Sequence, residues 1–515
     1  MMKNCLLLFL LFIQSFLNIA QTAKTETIAN DKFSKGNYEA ALEDYLALLE
    51  KEPTNNKYLF RIGVCYLNSN IDKTKAVSYF ERIIQSGKVE TPSTYYLLGR
   101  AYHFAGRYDD AIRMFNRFKE IDKYNASNIQ DVDKQIEYCY NAKELVKYPL
   151  DVTFQNLGDN INSNYADYYP FVPEDETFLV FNSRRDEGSE VEEDGQYKSN
   201  IYISKVKDGI FGPAKPIENI NTKDRNQEVI GLSNNGDHML LFIEDKDYNG
   251  KIYISEITKN GVKKPELLPA EINMKDEIAA SITNDGDAIF FASNRPGGIG
   301  GVDIWVSRKL PNGKWGPAQN LGPTINTPYD EDFPNISSDG KTLYFSSKGH
   351  TSMGGYDIFK AEYDETSKTW GKVRNVGYPV NTAGDDMNLR MSETGRHGYM
   401  SSLRKGGKGD MDIYRVTFNQ VEPKFMVIKG HITSENPDIS LKNISIQAQI
   451  PETGDVFGDY LPNPNTGRYI IILPPGTYDL LFSADGHKPL LETVSVQDIS
   501  NIESEIERNI VLKLK

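Results

Sequence analysis

The string Asp245-Lys-Asp247-Tyr-Asn249-Gly250, with Glu256 at the twelfth position, sets oxygen ligands at the alternate spacing of a calcium loop. Its flanks, Met239 to Ile243 and Lys251 to Ser255, read as strands. A strand rising about 3.3 Å per residue carries Glu256 roughly 20 Å beyond Gly250, too far to close the coordination shell. The helix-flanked calcium hand is therefore excluded. What these residues can still form is an open calcium turn of Asp245, Asp247 and Asn249 on a hairpin, set against the plainer reading of an Asp/Asn/Gly turn. No other cofactor is expected.

Catalytic patterns are absent. A Gly-x-Ser-x-Gly elbow does not occur, and the nearest string, Gly349-His-Thr-Ser352-Met-Gly354, falls in a predicted hairpin and not between a strand and a helix. The six histidines, at 103, 238, 350, 397, 431 and 487, hold no pair at metal-ligand spacing. The Gly-rich runs Pro296 to Gly301 and Lys405 to Gly409 lack the Lys-Ser/Thr ending of a phosphate loop. The chain is expected not to be an enzyme. Its net charge of −14, from 72 acidic and 58 basic residues, excludes a phosphate-binding surface and with it nucleic acid as a partner.

The elements that would position any site come in repeats. Between Asp151 and about residue 420 one pattern recurs five times, ending each time in a strand that opens on Ile: Asn200-Ile201-Tyr202, Lys251-Ile252-Tyr253, Asp303-Ile304-Trp305, Asp357-Ile358-Phe359 and Asp412-Ile413-Tyr414. Successive Ile residues stand 51, 52, 54 and 55 apart. Several short strands in a period near fifty predict a β-propeller whose blades bury their faces against one another. Turn pairs Asn235-Gly236, Asp285-Gly286, Asp339-Gly340 and Thr394-Gly395, with Glu174-Asp175-Glu176 in the first copy, predict two-residue hairpins. Copies three and four end in Trp315-Gly-Pro-Ala-Gln-Asn-Leu-Gly322 and Trp370-Gly-Lys-Val-Arg-Asn-Val-Gly377. Copy five has no such strand, while Phe154-Gln-Asn-Leu-Gly158 stands alone before copy one. That N-terminal piece is expected to complete the fifth blade and close the ring, leaving no exposed sheet edge. The pattern of Ile336 to Gly340, Leu343 to Ser347 and Gly354 to Ile358 resembles the WD40-like repeat called PD40, found in TolB-type propellers.

Two further segments flank this region. From 24 to 147 the period is helical, with Ala41, Ala76 and Ala111 spaced by 35 and Tyr45, Phe80 and Phe115 by the same step. Gly36-Asn37-Tyr38 and Gly106-Arg107-Tyr108 supply turns, and Gly63 and Gly99 the small positions. These residues resemble the tetratricopeptide repeat, which implies paired helices and a groove for a peptide or partner helix, set against the plainer reading of a spacer; a helix from Asn128 to Leu145 is expected to cap the stack. From 424 to 515 alternating strands resume, with Arg468-Tyr-Ile-Ile-Ile-Leu473, Pro474-Pro-Gly476-Thr-Tyr478 and Ala484-Asp-Gly486. This resembles the carboxypeptidase regulatory-like domain and implies an immunoglobulin-like, prealbumin-like β-sandwich without catalytic residues.

Residues 1–20, with Lys3, an apolar run from Cys5 to Ile13 and Ala20, have the layout of a secretory signal peptide. Export leaves Cys65 and Cys139, expected as buried free thiols, and no second apolar run long enough to span a membrane. The fold class is thus multidomain: all-α repeats, a five-bladed propeller and a β-sandwich. That order resembles envelope proteins of Bacteroidetes, notably the PorE-type component associated with type IX secretion. In that family an OmpA-like peptidoglycan-binding domain follows the sandwich. Here the sequence stops before it, so peptidoglycan contact is expected only through another protein. The resemblance implies a periplasmic, outer-membrane-associated scaffold binding envelope or secretion proteins through its helical groove and propeller faces. The alternative is a propeller that binds or hydrolyses a glycan or peptide in its central funnel.

Overall fold

The computed structural model describes residues 21–515 apart from 123–125, 148, 189–190, 246–249, 276, 372, 405, 420–425, 438–440, 452, 463–466, 474–475 and 497–504. The segment read as a signal peptide lies outside the described residues. Among the described residues no helix is long and apolar enough to cross a membrane.

Among the described residues seven α-helices come first: α1 (residues 21–34), α2 (Tyr38–Lys51), α3 (Asn56–Asn68), α4 (Ala76–Gln85), α5 (Ser93–Phe104), α6 (Tyr108–Ile121) and α7 (Ala126–Leu145). Short polar residues fix their starts. The Asn37 side chain accepts from the Ala40 N–H at 3.2 Å, and Asn55 accepts from the Lys57 N–H at 3.0 Å. Gly36 and Gly106, at φ of +81° and +69°, turn the chain between paired helices. Gly63 and Gly99 allow the pairs to close. A Cβ on Gly63 would lie 2.5 Å from the Phe80 ring, and one on Gly99 would lie 2.6 Å from the ring of Phe115. Both rings are fully buried, in one core with Ala41, Tyr45, Ala76 and Ala111. The irregular step between α3 and α4 is taken up by a 3-10 turn, Lys73–Lys75, capped by Asp72. Cys65 and Cys139 are buried free thiols, and burial pushes both up to about 12.

Among the described residues five antiparallel sheets follow. Their middle strands are Phe178–Ser183 with Asn200–Lys207, His238–Glu244 with Gly250–Thr258, Ala288–Ser293 with Asp303–Arg308, Thr342–Ser347 with Asp357–Asp364, and His397–Ser402 with Asp412–Phe418. The fifth sheet takes its outer strand, Val152–Asn156, from before the first sheet, as the displaced Asn-Leu-Gly phrase predicts. Apolar clusters fill the spaces between sheets one and two, two and three, three and four, and one and five. Sheets one, two and three therefore bury both faces against others of their kind, and sheets four and five at least one.

The hairpins differ from expectation. Ser233, Thr283, Ser337 and Ser392 pair with His238, Ala288, Thr342 and His397, which leaves four residues in each loop. The N–H of Gly236, Gly286, Gly340 or Gly395 bonds the carbonyl three residues back, and in each Asn-Gly, Asp-Gly or Thr-Gly pair only the Gly has positive φ. The two-residue turn predicted there would need positive φ at both residues. A hydroxyl makes the longer loop stable: Ser233 Oγ accepts from the His238 N–H at 2.9 Å, and Ser337 Oγ from that of Thr342 at 2.9 Å. In the first copy Glu176 occupies the left-handed position, at φ +54°.

The recurring Ile is held the same way five times. Asn221, Asn273, Asn326, Asn381 and Asn162 each accept the backbone N–H of an Ile, namely Ile201, Ile252, Ile304, Ile358 and Ile413, at 2.7–2.9 Å. Each amide also donates back to the carbonyl of the same Ile at 2.8–3.0 Å. The side chain thus acts as one more peptide unit at the strand edge. The acidic residue before the Ile is a second tie: Asp303, Asp357 and Asp412 accept from Asn320, Asn375 and Asn156, each at 2.8 Å.

The C-terminal unit has two four-stranded sheets. One is built on Met426–Ser434 with Arg468–Leu473 and the short strands Glu505–Glu507 and Ile510–Leu512. The other has the order Val456–Tyr460, Ser445–Gln449, Gly476–Ser483, Leu490–Val496. Residues of both, including Ile428, Ile446, Ile471, Leu480 and Phe482, share one core.

Candidate functional site

The calcium turn is only partly in view. Asp245 follows the strand His238–Glu244, whereas Asp247 and Asn249 lie outside the described residues. Glu256 sits inside the strand Gly250–Thr258, opposite His238, and its carboxylate is ion-paired with Lys263. The strand geometry that removes it from a calcium shell is therefore present. Among the described residues no group of three His, Cys, Asp or Glu side chains is placed to hold a metal ion.

The funnel entertained as a ligand site is filled where the first strands of the sheets meet. The rings of Tyr169 and Phe333, from sheets one and four, lie 4.6 Å apart. Around them Asn335 donates to the Asn388 side chain at 3.0 Å, and Asn234 of sheet two donates to the Ile336 carbonyl of sheet four at 2.9 Å. Tyr169, Phe333 and Asn388 have φ of 51°, 48° and 55°, and the pairing register shifts beside the first two. These bulges aim the rings inward at a cost of about 1–2 kcal/mol per residue.

Acidic groups accompany this packing. Asp332, 3% exposed, is pushed by burial up to about 7. Glu228 is raised by burial although the Tyr168 hydroxyl donates to it at 2.6 Å and Arg184 opposes the shift. Burial also lifts Glu331 and Asp386 to about 7.

One end of the sheet region carries the helical repeats. His103, at the end of α5, is 3% exposed with Nε2 2.8 Å from the Met353 carbonyl. Burial holds it down to about 4, so the ring is neutral and its Nε2–H donates. From α7, Tyr138 donates to the Lys348 carbonyl at 2.7 Å, Asn141 to that of Ser352 at 2.8 Å, and the Lys134 ammonium lies 4.4 Å above the Tyr329 ring. The loops after the second strand of sheet four are therefore occupied by the chain's own helices. That end is not wholly the open docking face expected.

Beside this contact lies a polar crevice with a cavity volume of about 550 Å³. Its helical wall is the start of α2, with Glu39 and Glu43, and the end of α3, with Asn70 beyond it. The sheet wall holds Arg184, Asp194 and Asp410. Glu39 is raised by burial and then by Asp410, and Asp410 is raised by burial.

The crevice, the helix docking and the Asn ties are absent from the sequence reading. The ties had a signal, an Ile-Asn or Val-Asn pair written five times at Asn162, Asn221, Asn273, Asn326 and Asn381. The docking had none, since none of His103, Tyr138 and Asn141 recurs at the repeat spacing.

Two tetratricopeptide-repeat family models match the chain, over residues 27–89 and 92–125, so the N-terminal helices are tetratricopeptide repeats. Among solved structures, the β-1,2-mannobiose phosphorylase of Listeria innocua is similar at 11% identity and a TM-score of 0.35, over 52% of this chain and 96% of that one. The periplasmic gluconolactonase of Pseudomonas aeruginosa is similar at 13% identity and a TM-score of 0.25, over 61% and 72%. A structure of WD40 repeats is similar at 9% identity and 0.28, over 52% and 97%. At these scores nothing about activity passes to this chain. Its own succession of five packed antiparallel sheets is propeller-like.

Proposed function

We propose that the chain is a non-enzymatic interaction scaffold of a bacterial envelope, exported to the periplasm and associated with the outer membrane. In this reading the five sheets are the blades of a closed PD40-type ring, and the C-terminal sheets form a carboxypeptidase-regulatory-like, immunoglobulin-like sandwich. The partners are envelope or secretion proteins, linked to type IX secretion or outer-membrane assembly as in the PorE-type proteins the chain resembles.

The observation that carries this reading is the fixed seat of the tetratricopeptide repeats on the sheet region, through His103 and Met353, Tyr138 and Lys348, and Asn141 and Ser352. Tetratricopeptide repeats are partner-binding helices, and a rigid seat holds such a groove at a set orientation, which is what a scaffold requires. The filled axis at Tyr169 and Phe333 speaks against a substrate funnel. Crosslinking mass spectrometry on intact cells tests the proposal: reproducible links from the helices or sheets to envelope proteins are expected. A chain that crosslinks to no envelope protein overturns it.

A further inference from the structure

The C-terminal unit joins a serine to a histidine 53 residues away. Ser434 closes the strand Met426–Ser434, where it pairs in parallel with Leu512, and His487 stands in the turn before Leu490–Val496. The end of the chain pins that turn on both sides of the histidine: the Lys488 N–H donates to the Lys513 carbonyl at 2.8 Å, and the Lys515 N–H to that of Gly486 at 3.1 Å. The imidazole is 2% exposed and held at both nitrogens. Its Nδ1 lies 2.8 Å from the Asp485 carbonyl, which can only accept, so Nδ1 carries the proton. In the neutral ring Nε2 is then a lone pair, and it receives the Ser434 hydroxyl with Oγ at 2.9 Å. His103 and His350 are wired the other way, each with Nε2 on a carbonyl, those of Met353 and Ile325. Ser434 is only half-buried where the ring is shielded, and its Oγ also accepts the Asn436 N–H at 3.2 Å, which favours negative charge on that oxygen.

We propose that Ser434 is a nucleophilic serine activated by His487 and a site of covalent acylation by an activated ester. The serine oxygen and its base stand within hydrogen-bond reach, and a third group orients the base, which is the geometry such a nucleophile requires. In the step, Oγ bonds to the ester carbonyl carbon, the Oγ–H proton passes to Nε2, and the bond from that carbon to the leaving oxygen breaks. The leaving group takes the proton from Nε2, so the products are acyl-Ser434, a neutral His487 and the free alcohol. This goes beyond the scaffold reading and does not depend on it, because both residues lie outside the helices and the five sheets. It adds one acyl transfer to the chain, without turnover.

The test treats the folded full chain with p-nitrophenyl acetate and locates the acetyl groups by peptide mass spectrometry. Ser434 should be acetylated about tenfold or more faster than the exposed Ser78 and Ser367, general-base help being worth about 100-fold or more in a complete site. His487→Gln keeps a polar side chain beside Ser434 and removes the base, and it should bring Ser434 to within about twofold of those two serines. Ser434→Ala should remove the fast acetylation and leave that of Ser78 and Ser367 unchanged. If His487→Gln does not fold, as circular dichroism would show, the unaltered chain decides by itself: the advantage of Ser434 should vanish when the same chain is acetylated in urea. Equal acetylation of Ser434 and the exposed serines in the folded chain overturns the proposal. So does an advantage that survives in folded His487→Gln or in urea, since neither then comes from the pair.

Discussion

Asn162 accepts the backbone N–H of Ile413 at 2.8 Å and returns a hydrogen bond to its carbonyl at 3.0 Å, joining residues 251 apart. Ile413 is fully buried, and Asn162 is 1% exposed. The neighbouring tie from Asn156 to Asp412 lies on the same segment, so the last sheet is stitched to the chain that precedes the first. The other four Ile-Asn ties are local, spanning 20 to 23 residues.

Replacing Asn162→Leu preserves bulk and leaves the Ile413 N–H without the amide acceptor, while the Ile413 carbonyl keeps the Leu157 N–H at 3.2 Å. The variant should lose roughly 1–3 kcal/mol by urea denaturation. Asn326→Leu, which breaks a local tie, should cost a similar amount. Only Asn162→Leu should speed amide exchange at Ile413 and along Val152–Asn156. Equal protection of those strands in both variants would show that the long-range tie does not hold the fifth sheet closed.

The small residues of the helical repeats make a second prediction. A methyl group on Gly63 would sit 2.5 Å from the buried Phe80 ring. Gly63→Ala should gain about 0.5–1 kcal/mol of helix propensity and lose about 1–3 kcal/mol to overpacking, a net loss. Adding Phe80→Leu, which opens space at that point, should cost less in the Gly63→Ala background than alone. Additive costs in a double-mutant cycle would place the strain elsewhere.

What could be read from the sequence and what could not divides along periodicity. The five Ile residues and the Gly63/Phe80 and Gly99/Phe115 pairs were legible because each is written more than once at constant spacing. The strand Val152–Asn156 was legible because its Asn-Leu-Gly phrase is missing from one place and present in another. Turn type was not, since a glycine at positive φ serves a two-residue turn and the four-residue loop from Ser233 to His238 equally well. Nor was the filled axis, because the left-handed backbone of Tyr169, Phe333 and Asn388 is imposed by sheet packing on residues with no local preference for it. The candidate crevice depends on how two segments meet, and no local pattern encodes that.

Asp332 gives the sheet region a pH dependence of definite sign. Burial raises its carboxyl to about 7, above the ordinary value near 4, so between roughly pH 4 and 7 the folded state holds a proton that the unfolded state has released. Stability therefore falls as pH rises through that window, by up to about 1.4 kcal/mol per pH unit for each such group. Glu331 and Asp386 act in the same direction. Asp332→Asn keeps an acceptor for the Phe333 N–H, bonded at 2.8 Å, and removes the titration. The variant should be more stable than the unaltered chain at pH 8 and no more stable at pH 4. An unchanged pH slope in urea titrations would remove Asp332 as a source.

His103 works in the opposite direction, at the seat of the helices. Burial holds its pKa down to about 4, so the unfolded state takes up a proton near pH 6.5 while the folded state stays neutral, and stability is lost as pH falls from about 6.5 toward 4. His103→Gln retains a donor for the Met353 carbonyl and has no charge to acquire. It should stay within about 1 kcal/mol of the unaltered chain at pH 7.5 and should shed this acid-dependent loss at pH 5. His103→Phe leaves that carbonyl without its donor and should cost about 1–3 kcal/mol at both pH values. Hydrogen exchange locates the effect. In the unaltered chain at pH 5, α5 and the loop around Met353 should open before the five sheets do, and His103→Gln should abolish that early opening. Simultaneous opening of helices and sheets in all three proteins would mean that His103 does not govern the seat.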